Sequence, residues 1–234
     1  MLYIVPTPIG NLKDITIRAK EALQEVDLIL CEDTRTTGRM LELLGLKPYP
    51  PLTSFHEHNE DSKVKYIIER LKNGEEVALV SDAGTPTISD PGYKLIAYCH
   101  QQNLPVTALP GASSVTTALS ASGFPTDKFI YLGFLPKARG KKEKLLQKIN
   151  ELGGITIVAF ESPKRLKTTL IELKEIYGNI ELTVSRELTK KFEQIKKQKI
   201  NQHLLDLEDR SRSAKGEVTL VWSNKHLIHS TLSS

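Results

Sequence analysis

The chain has 234 residues and a formal net charge of +4, and its 39% apolar content with 14 glycines excludes disordered and collagen-like classes. No apolar run approaches the roughly 20 residues that cross a bilayer, and the N-terminal MLYIVPTPIG lacks the charged and apolar regions of a signal peptide. Two cysteines without a C-x-x-C pair argue against a disulfide framework or a cysteine zinc site, so a cytoplasmic location is expected.

The small net charge hides an uneven distribution along the chain. Residues 1–117 carry 11 basic and 15 acidic side chains, net −4, whereas residues 118–234 carry 21 and 13, net +8. An acidic half joined to a basic half suggests two domains, with a polyanion as one possible partner.

Apolar runs alternate with amphipathic stretches in the first half of the chain. In chain order, the pattern predicts a strand at 2–5, a helix at 14–26, a strand at 27–31, helices at about 36–44 and 59–72, a strand at 77–81, a helix at 91–102 and a strand at 105–109. This β–α order predicts a mostly parallel sheet with helices on both faces.

A segment rich in Gly, Ala, Ser and Thr, residues 111–123, predicts a tightly packed connecting helix at a domain junction, giving domains 1–113 and 114–234. The strand pattern then resumes at 129–134, 155–160, 181–187 and 217–222, with a helix at 163–177 and basic or charged segments at 137–148 and 190–199. The fold class is therefore α/β, with two α/β domains.

Four loops that follow predicted strands are rich in Gly, Pro or small polar residues: PTPIGNL (6–12), EDTRTTG (32–38), SDAGTPTISDPG (81–92) and PGASS (110–114). Loops beyond the carboxyl ends of parallel strands meet at one edge of the sheet, where ligands bind, so together they predict a ligand cleft. The G-x-G-x-x-G fingerprint and the phosphate-binding P-loop are both absent from the sequence.

Charged side chains in these loops have both structural and chemical interpretations. Asp33 or Thr34 can cap the following helix, and Arg35 can form a local ion pair with Asp33. Alternatively, Arg35 binds a phosphate or carboxylate while Asp33 orients or deprotonates a hydroxyl. Asp90, before Pro91, is predicted to be an N-cap, which leaves Asp82 as the better ligand contact.

FHEHN at 55–59 holds two histidines in H-x-H spacing. No convincing further metal ligands lie nearby, so no metal site is predicted. His56 is either a loop histidine bonded to backbone or water, or a residue of the cleft.

Two lysine-rich stretches lie in the basic half, KARGKKEK at 137–144 and KKFEQIKKQK at 190–199. Each alone is typical of a solvated surface, but together they favour a nucleic-acid backbone as partner. The first supplies the predicted RNA contacts Lys137, Arg139, Lys141, Lys142 and Lys144. Few aromatic residues interleave with either stretch, so a base-stacking platform is not indicated.

A series of motifs resembles one known family. LYIVPTPIGNLKDITIRA, CEDTRTTG, SFHEHNE, VALVSDAGTPTISDPGY, PGASSVTTALSASG, GFLPKARG, FESPKRL and SRELTK occur in this order between about residues 2 and 222. Together they resemble the ribosomal RNA small-subunit methyltransferase I family, of the tetrapyrrole-methylase fold class.

The resemblance implies transfer of a methyl group from S-adenosylmethionine to the ribose 2′-hydroxyl of a decoding-centre cytidine in 16S rRNA, leaving S-adenosylhomocysteine. It also implies a homodimer, a mostly parallel N-terminal sheet, a mixed C-terminal sheet and a cofactor cleft between the two domains. The cofactor-binding positions that it implies are Pro8, Ile9, Gly10, Asp82, Ala83, Gly84, Thr85, Gly111, Ala112, Ser113, Phe160 and Glu161, with Arg186 and Glu187 nearby. Lys164 stands where the family pattern has a histidine, and its role stays open.

Methyl transfer to a ribose hydroxyl needs alignment of the reactants and a base that takes the hydroxyl proton. We predict Asp33 as that base, with Arg35 holding the adjacent phosphate, and His56 and Glu32 as the reserve candidates. Two other interpretations are a methyltransferase of the same fold acting on a tetrapyrrole or a protein side chain, and a non-catalytic RNA-binding module.

Overall fold

The computed structural model describes residues 1–208 and 216–224. The chain divides into two compact units, Met1–Ser113 and Ser114–Ser234, so the parts of the second unit at 209–215 and 225–234 lie outside the described residues. No helix within the described ranges is long and apolar enough to cross a membrane.

The first unit is a five-stranded parallel sheet flanked by helices. Its elements are β1 (Leu2–Val5), a short 3₁₀ helix (Leu12–Asp14), α1 (Ile17–Glu25), β2 (Leu28–Cys31), α2 (Thr34–Leu43), β3 (Leu52–Ser54), α3 (Glu60–Lys72), β4 (Val77–Val80), α4 (Tyr93–Gln101) and β5 (Val106–Ala108). The strand order is β3-β2-β4-β1-β5, and all four pairings are parallel. The predicted parallel sheet is therefore confirmed.

The three inner strands β2, β4 and β1 are buried on both faces, which is why they read as continuous apolar runs. Successive side chains of a strand point to opposite faces. Leu28 and Leu30 of β2 accordingly join a core with helices α3 and α4, while Ile29 and Cys31 join a second core with α1 and α2.

The second unit is a mixed five-stranded sheet. Its elements are α5 (Ser114–Ala121), β6 (Phe129–Phe134), α6 (Arg139–Asn150), β7 (Thr156–Glu161), α7 (Leu166–Tyr177), β8 (Glu181–Arg186), β9 (Gln194–Lys199), α8 (Ile200–Glu208) and β10 (Val218–Ser223). The order is β6-β7-β10-β8-β9, with β6 and β7 parallel and the other pairs antiparallel. The predicted mixed sheet is confirmed.

The principal core of the second unit lies on one face of its sheet. Residues of α6, α7 and α8 pack there around the fully buried Trp222. Helix α5, the predicted connecting helix, packs against β7 and β10.

Several elements differ from the sequence prediction. Strand β3 is only three residues long and follows a proline-rich stretch, so no strand pattern was visible. Segment 190–199 contains strand β9, whose alternating half-buried and exposed residues place lysine on an edge strand. The basic stretch at 137–148 largely forms α6, and α8 was not predicted.

The two predicted helix caps have different outcomes. Asp33 is the N-cap of α2, as the structural interpretation of EDTR predicted, because its side chain accepts a hydrogen bond from the Arg35 backbone N–H. The prediction for Asp90 is wrong. Helix α4 begins at Tyr93 after Gly92, whose φ of 124° suits only glycine.

Candidate functional site

Four loops of the first unit meet at one edge of its sheet. They follow β1, β2, β4 and β5, and these strands are parallel and lie side by side in the order β2-β4-β1-β5. Their carboxyl ends therefore share an edge, as the loop composition predicted. This edge brings together the predicted cofactor positions of the first unit with the residues of EDTR.

Direct hydrogen bonds join the loop after β1 to the loop after β4. Thr7 and Gly84 form an isolated antiparallel bridge, with the Thr7 N–H donating to the Gly84 oxygen at 2.9 Å and the Gly84 N–H to the Thr7 oxygen at 3.0 Å. The buried Thr7 hydroxyl also donates to the Ser81 oxygen at 2.9 Å. The segments 8–10 and 82–85 are thus fixed relative to one another.

A further hydrogen bond connects the loop after β4 to the loop after β5. The Thr85 hydroxyl donates to the Ala112 oxygen at 3.0 Å. Gly84 lies between these segments with φ of 88°, and a Cβ there would meet Ile9 Cγ2 at 3.3 Å and the Ala112 oxygen at 3.9 Å. The loops form a tightly packed cradle of small residues in which a ligand can approach the backbone closely, so these residues fit a bound cofactor.

The other predicted positions on these loops differ in exposure. Pro8 and Ile9 are buried, whereas Gly10, Asp82, Ala83 and Gly111 are exposed and Ala112 and Ser113 are half-buried. A Cβ at Gly111 would lie 2.6 Å from Pro6 Cβ, so the loop after β5 passes this proline too closely for any other residue.

The side chains of EDTR are joined to each other and to the loop after β4. Both Asp33 oxygens accept hydrogen bonds from the Arg35 guanidinium, at 3.1 and 2.7 Å. The Asp33 N–H donates to Asp82 Oδ1 at 3.4 Å. The hydrogen bonds from the Arg35 side chain and backbone hold the pKa of the Asp33 carboxyl well below its usual range.

This geometry argues against Asp33 as the general base predicted from the sequence. A carboxylate with a lowered pKa is a weaker proton acceptor, and both of its oxygens are already engaged by Arg35. The Arg35 side chain is 90% exposed, so it remains accessible to a phosphate group beyond this ion pair.

Glu32, the neighbouring carboxyl, has the opposite electrostatic environment. Burial raises its pKa above the ordinary value, and the negative charges of Asp90 and Asp82 raise it further. Burial likewise raises the pKa of the Asp82 and Asp90 carboxyls. Because a base works best when its pKa approaches the working pH, Glu32 suits proton abstraction better than Asp33.

His56 lies just beyond β3, at the same edge of the sheet. Its Nε2 lies 3.0 Å from Asn59 Nδ2, while Asn59 Oδ1 accepts the His56 backbone N–H at 2.9 Å. The Asn59 amide nitrogen is therefore the donor and His56 Nε2 the acceptor in this contact. Nδ1 is buried without a partner among the described residues. Since Nε2 is already an acceptor, this arrangement gives His56 a positioning role for the loop at 55–59.

The predicted cofactor positions of the second unit lie at the end of β7. The Phe160 ring packs edge-on against Tyr131 and Phe134, with centroids 5.1 and 5.5 Å away. The Glu161 carboxylate is buried and bonded internally, to Arg165 at 2.6 Å and to the Thr169 hydroxyl at 2.6 Å. Its side chain stabilises the start of α7, so only the backbone of Glu161 is left for a ligand contact.

The predicted RNA contacts on and before α6 fall into three groups. Lys137, Lys141 and Lys144 are exposed and form no ion pair among the described residues. Arg139 is exposed but pairs with Glu143 and Glu175, each at 2.7 Å.

Lys142 does not fit the prediction. It is 3% exposed, and its Nζ bonds Glu172 at 2.6 Å and the Thr169 hydroxyl at 3.1 Å. The helical period turns this one lysine of the basic stretch toward α7, where it serves packing and cannot reach a phosphate.

No group of three or more His, Cys, Asp or Glu in residues 1–208 and 216–224 could hold a metal ion. Both cysteines, Cys31 and Cys99, are free and buried, and burial raises the pKa of each thiol to about 11.

The fold and this loop edge define the class of protein. Residues 1–203 match the family model of the tetrapyrrole (corrin/porphyrin) methylases. The chain resembles the crystal structure of diphthine synthase with a TM-score of 0.68 and 16% identity, covering 94% of this chain and 88% of that one. It also resembles uroporphyrin-III C-methyltransferase from Thermus thermophilus, solved with S-adenosylhomocysteine, with a TM-score of 0.60 and 15% identity over 97% and 99% of the two chains. These structures establish the shared fold.

Relatives of similar sequence show to which family of this class the chain belongs. The ribosomal RNA small subunit methyltransferase I of Thermotoga maritima is 46% identical over 96% of this chain and 98% of its own length. That of Escherichia coli O157:H7 is 44% identical over 94% of this chain and 76% of its own. The chain belongs to the ribosomal RNA small subunit methyltransferase I family of the tetrapyrrole methylases. It is therefore an S-adenosylmethionine-dependent methyltransferase, as the motif series implied.

Proposed function

We propose that this enzyme transfers a methyl group from S-adenosylmethionine to the ribose 2′-hydroxyl of a decoding-centre cytidine in 16S rRNA, within the small ribosomal subunit. The observation that carries the proposal is the 46% identity, over nearly the whole of both chains, to a relative named as a ribosomal RNA small subunit methyltransferase. The net charge of +8 on Ser114–Ser234 supports a polyanionic substrate. A ribosomal substrate also implies a cytoplasmic enzyme.

The cofactor, when bound, supplies an activated methyl group, so the protein's main tasks are to bind and to align. We propose that the backbone of 8–10, 82–85 and 111–113 holds it, because these segments form the hydrogen-bonded cradle of small residues. Phe160 and the backbone of Glu161 are the proposed contacts from the second unit.

The protein must also remove the proton of the ribose hydroxyl. We assign this step to Glu32, whose pKa is raised by burial and by its carboxylate neighbours. Asp33 then caps α2 and orients Arg35, which binds the phosphate next to the target ribose. A positioned base contributes about 10²–10⁴-fold to the rate.

The decisive experiment is a transfer assay with radiolabelled S-adenosylmethionine on small ribosomal subunits from a strain that lacks this enzyme. Mass spectrometry of the product should find one new 2′-O-methylcytidine in the decoding centre. Label on a base or on a ribosomal protein, or no label with active cofactor binding, would refute the assignment. Parallel reactions with free 16S rRNA, with a porphyrin or corrin precursor and with protein test the alternative acceptors.

A homodimer belongs to the same proposal. Sedimentation velocity on the purified chain should give about twice the mass of one chain. The mass of a single chain at working concentration would show that the proposed homodimer is wrong.

A further inference from the structure

The loop between β8 and β9, residues 187–193, holds an aromatic side chain out into solvent. Phe192 is 72% exposed, and the Lys191 Nζ lies 5.7 Å from the centroid of its ring. Exposure of so large an apolar ring to water is unfavourable, because its burial would stabilise the folded chain. An exposed aromatic ring next to a cation is the combination that binds single-stranded nucleic acid, through base stacking and phosphate contact.

The backbone of this loop adopts an uncommon conformation. Glu187 and Thr189 have φ values of 51° and 63°, the left-handed region that residues other than glycine seldom adopt. Such strain persists only where surrounding contacts fix it, and it concentrates at functional sites.

The contacts that fix the loop are centred on Glu187. Its Oε1 accepts the Glu217 N–H at 2.9 Å and lies 3.3 Å from the Lys190 Nζ. At the other end of the loop, Glu193 Oε2 accepts the Thr189 N–H at 2.6 Å. The exposed ring is therefore presented by a preorganised loop, which lowers the entropy cost of binding.

The positive charge around Phe192 indicates a negatively charged partner. Segment 187–199 has five lysines and two glutamates, net +3. Lys190 and Lys196 are used in ion pairs, with Glu187 and Asp206, and the Lys197 Nζ donates to the Gly123 oxygen at 2.9 Å. Lys191 and Lys199 form no ion pair among the described residues. Lys197 and Lys199 lie on the same exposed face of β9, an edge strand. A second copy of this chain that met the segment about a two-fold axis would bring net +3 against net +3, whereas a polyanion has the complementary charge.

We propose that the β8–β9 loop is an RNA-binding element, in which Phe192 stacks on an unpaired base of the RNA and Lys191 contacts the adjoining phosphate. This rests on the proposed function for the class of substrate. The sequence did not indicate a base-stacking platform, but one exposed ring is sufficient to stack on one base.

The test compares variants in KM for small ribosomal subunits, kcat and S-adenosylmethionine affinity measured by calorimetry. Phe192→Ala should raise KM about 5- to 100-fold, and Phe192→Trp should retain wild-type KM because it preserves the stacking surface. Lys191→Ala should reduce the slope of log KM against log salt by about 0.7, the contribution of one single-strand phosphate contact. Ile17→Ala, at a 75% exposed apolar residue, and Lys65→Ala, at an exposed lysine, are the matched controls from the first unit and should change nothing.

Unchanged KM in both Phe192→Ala and Lys191→Ala would overturn the proposal. So would an equal loss of cofactor affinity, which would indicate a structural role, or a change of oligomeric state in sedimentation with unchanged KM. Fluorescence anisotropy with a labelled single-stranded RNA separates this inference from the proposed function. If the wild-type enzyme binds that RNA but methylates no subunit, the proposed substrate is wrong, and weaker RNA binding by Phe192→Ala still supports the loop.

Discussion

Two adjacent carboxyls in EDTR illustrate how strongly local contacts decide chemical roles. Asp33 is held ionised by the hydrogen bonds from Arg35, and Glu32 is pushed toward the neutral form by burial and by Asp90 and Asp82. The sequence places both directly after β2 and does not distinguish them, because one residue of register determines which carboxyl reaches the guanidinium and the helix cap.

Glu32→Gln should lower kcat by about 10²–10⁴-fold while S-adenosylmethionine affinity stays unchanged, because the amide cannot accept the hydroxyl proton. Asp33→Asn should lower kcat by less than about tenfold, since asparagine also caps helices. The base must be deprotonated and its pKa is raised, so activity of the wild-type enzyme should fall with decreasing pH already above the ordinary glutamate range. That acidic limb should vanish in Glu32→Gln. A large loss of kcat in Asp33→Asn, together with a normal kcat in Glu32→Gln, would show that Asp33 is the base.

Lys142 leads to a prediction about stability. Its ammonium and the Glu172 carboxylate are both nearly inaccessible, with side chains 4% and 10% exposed. Lys142→Met should therefore lower the free energy of unfolding by about 3–5 kcal/mol, because it leaves a buried charge without its partner. Urea denaturation measures this loss. Lys142→Met combined with Glu172→Leu should recover most of it, and the exposed Lys144→Ala should stay within about 0.5 kcal/mol of wild type. If Lys142→Met left the free energy of unfolding unchanged and weakened RNA binding, the role of Lys142 in a buried ion pair would be contradicted.

At the scale of elements, the strands with both faces buried were the most predictable part of the fold. Their apolar runs are unusual outside a core, and the loops that follow them share one edge because parallel strands share one direction. Strand β9 and helix α6 were not predicted as elements, because lysine-rich segments carry their structural signal in alternation and helical period rather than in composition. The same limit concealed the roles of Lys142 and Phe192, since burial and exposure of single side chains depend on neighbours that are distant in sequence.

The bridge between Thr7 and Gly84 joins two loops of the proposed cofactor site. Gly84→Ala should weaken S-adenosylmethionine binding by about tenfold or more, because its Cβ would press on Ile9 and φ of 88° is unfavourable for alanine. Gly74→Ala is a matched control: it has the same φ of 88° but no atom within 4 Å of the new Cβ, and it lies before β4, at the opposite edge of the sheet. Both should lose about 1–2 kcal/mol of stability, whereas only Gly84→Ala should lose cofactor affinity in calorimetry. Equal S-adenosylmethionine affinities of Gly84→Ala and Gly74→Ala would show that the bridge is not part of the cofactor site.

At the scale of the whole molecule, the division of charge between the two units is the property most directly tied to the proposed substrate. Met1–Ser113 carries net −4 and Ser114–Ser234 carries net +8, although the sum is only +4. If the net charge of the whole protein attracted the RNA, a charge change anywhere on the surface would alter RNA binding. A polyanion bound by the basic unit responds to charge on that unit alone, because surface potentials are screened within about 8–10 Å at physiological salt.

A pair of double substitutions separates these cases. Replacing Lys141 and Lys144 of α6 by glutamate, or Lys65 and Lys72 of α3, changes the formal charge from +4 to 0 in either protein. All four lysines are exposed. The α6 variant should raise KM for small subunits by about tenfold or more and flatten its salt dependence, since contacts to phosphates are lost. The α3 variant should match wild type, and S-adenosylmethionine affinity should stay constant in both. Equal increases in KM would show that net charge alone steers the enzyme, and would remove α6 from the RNA-binding surface.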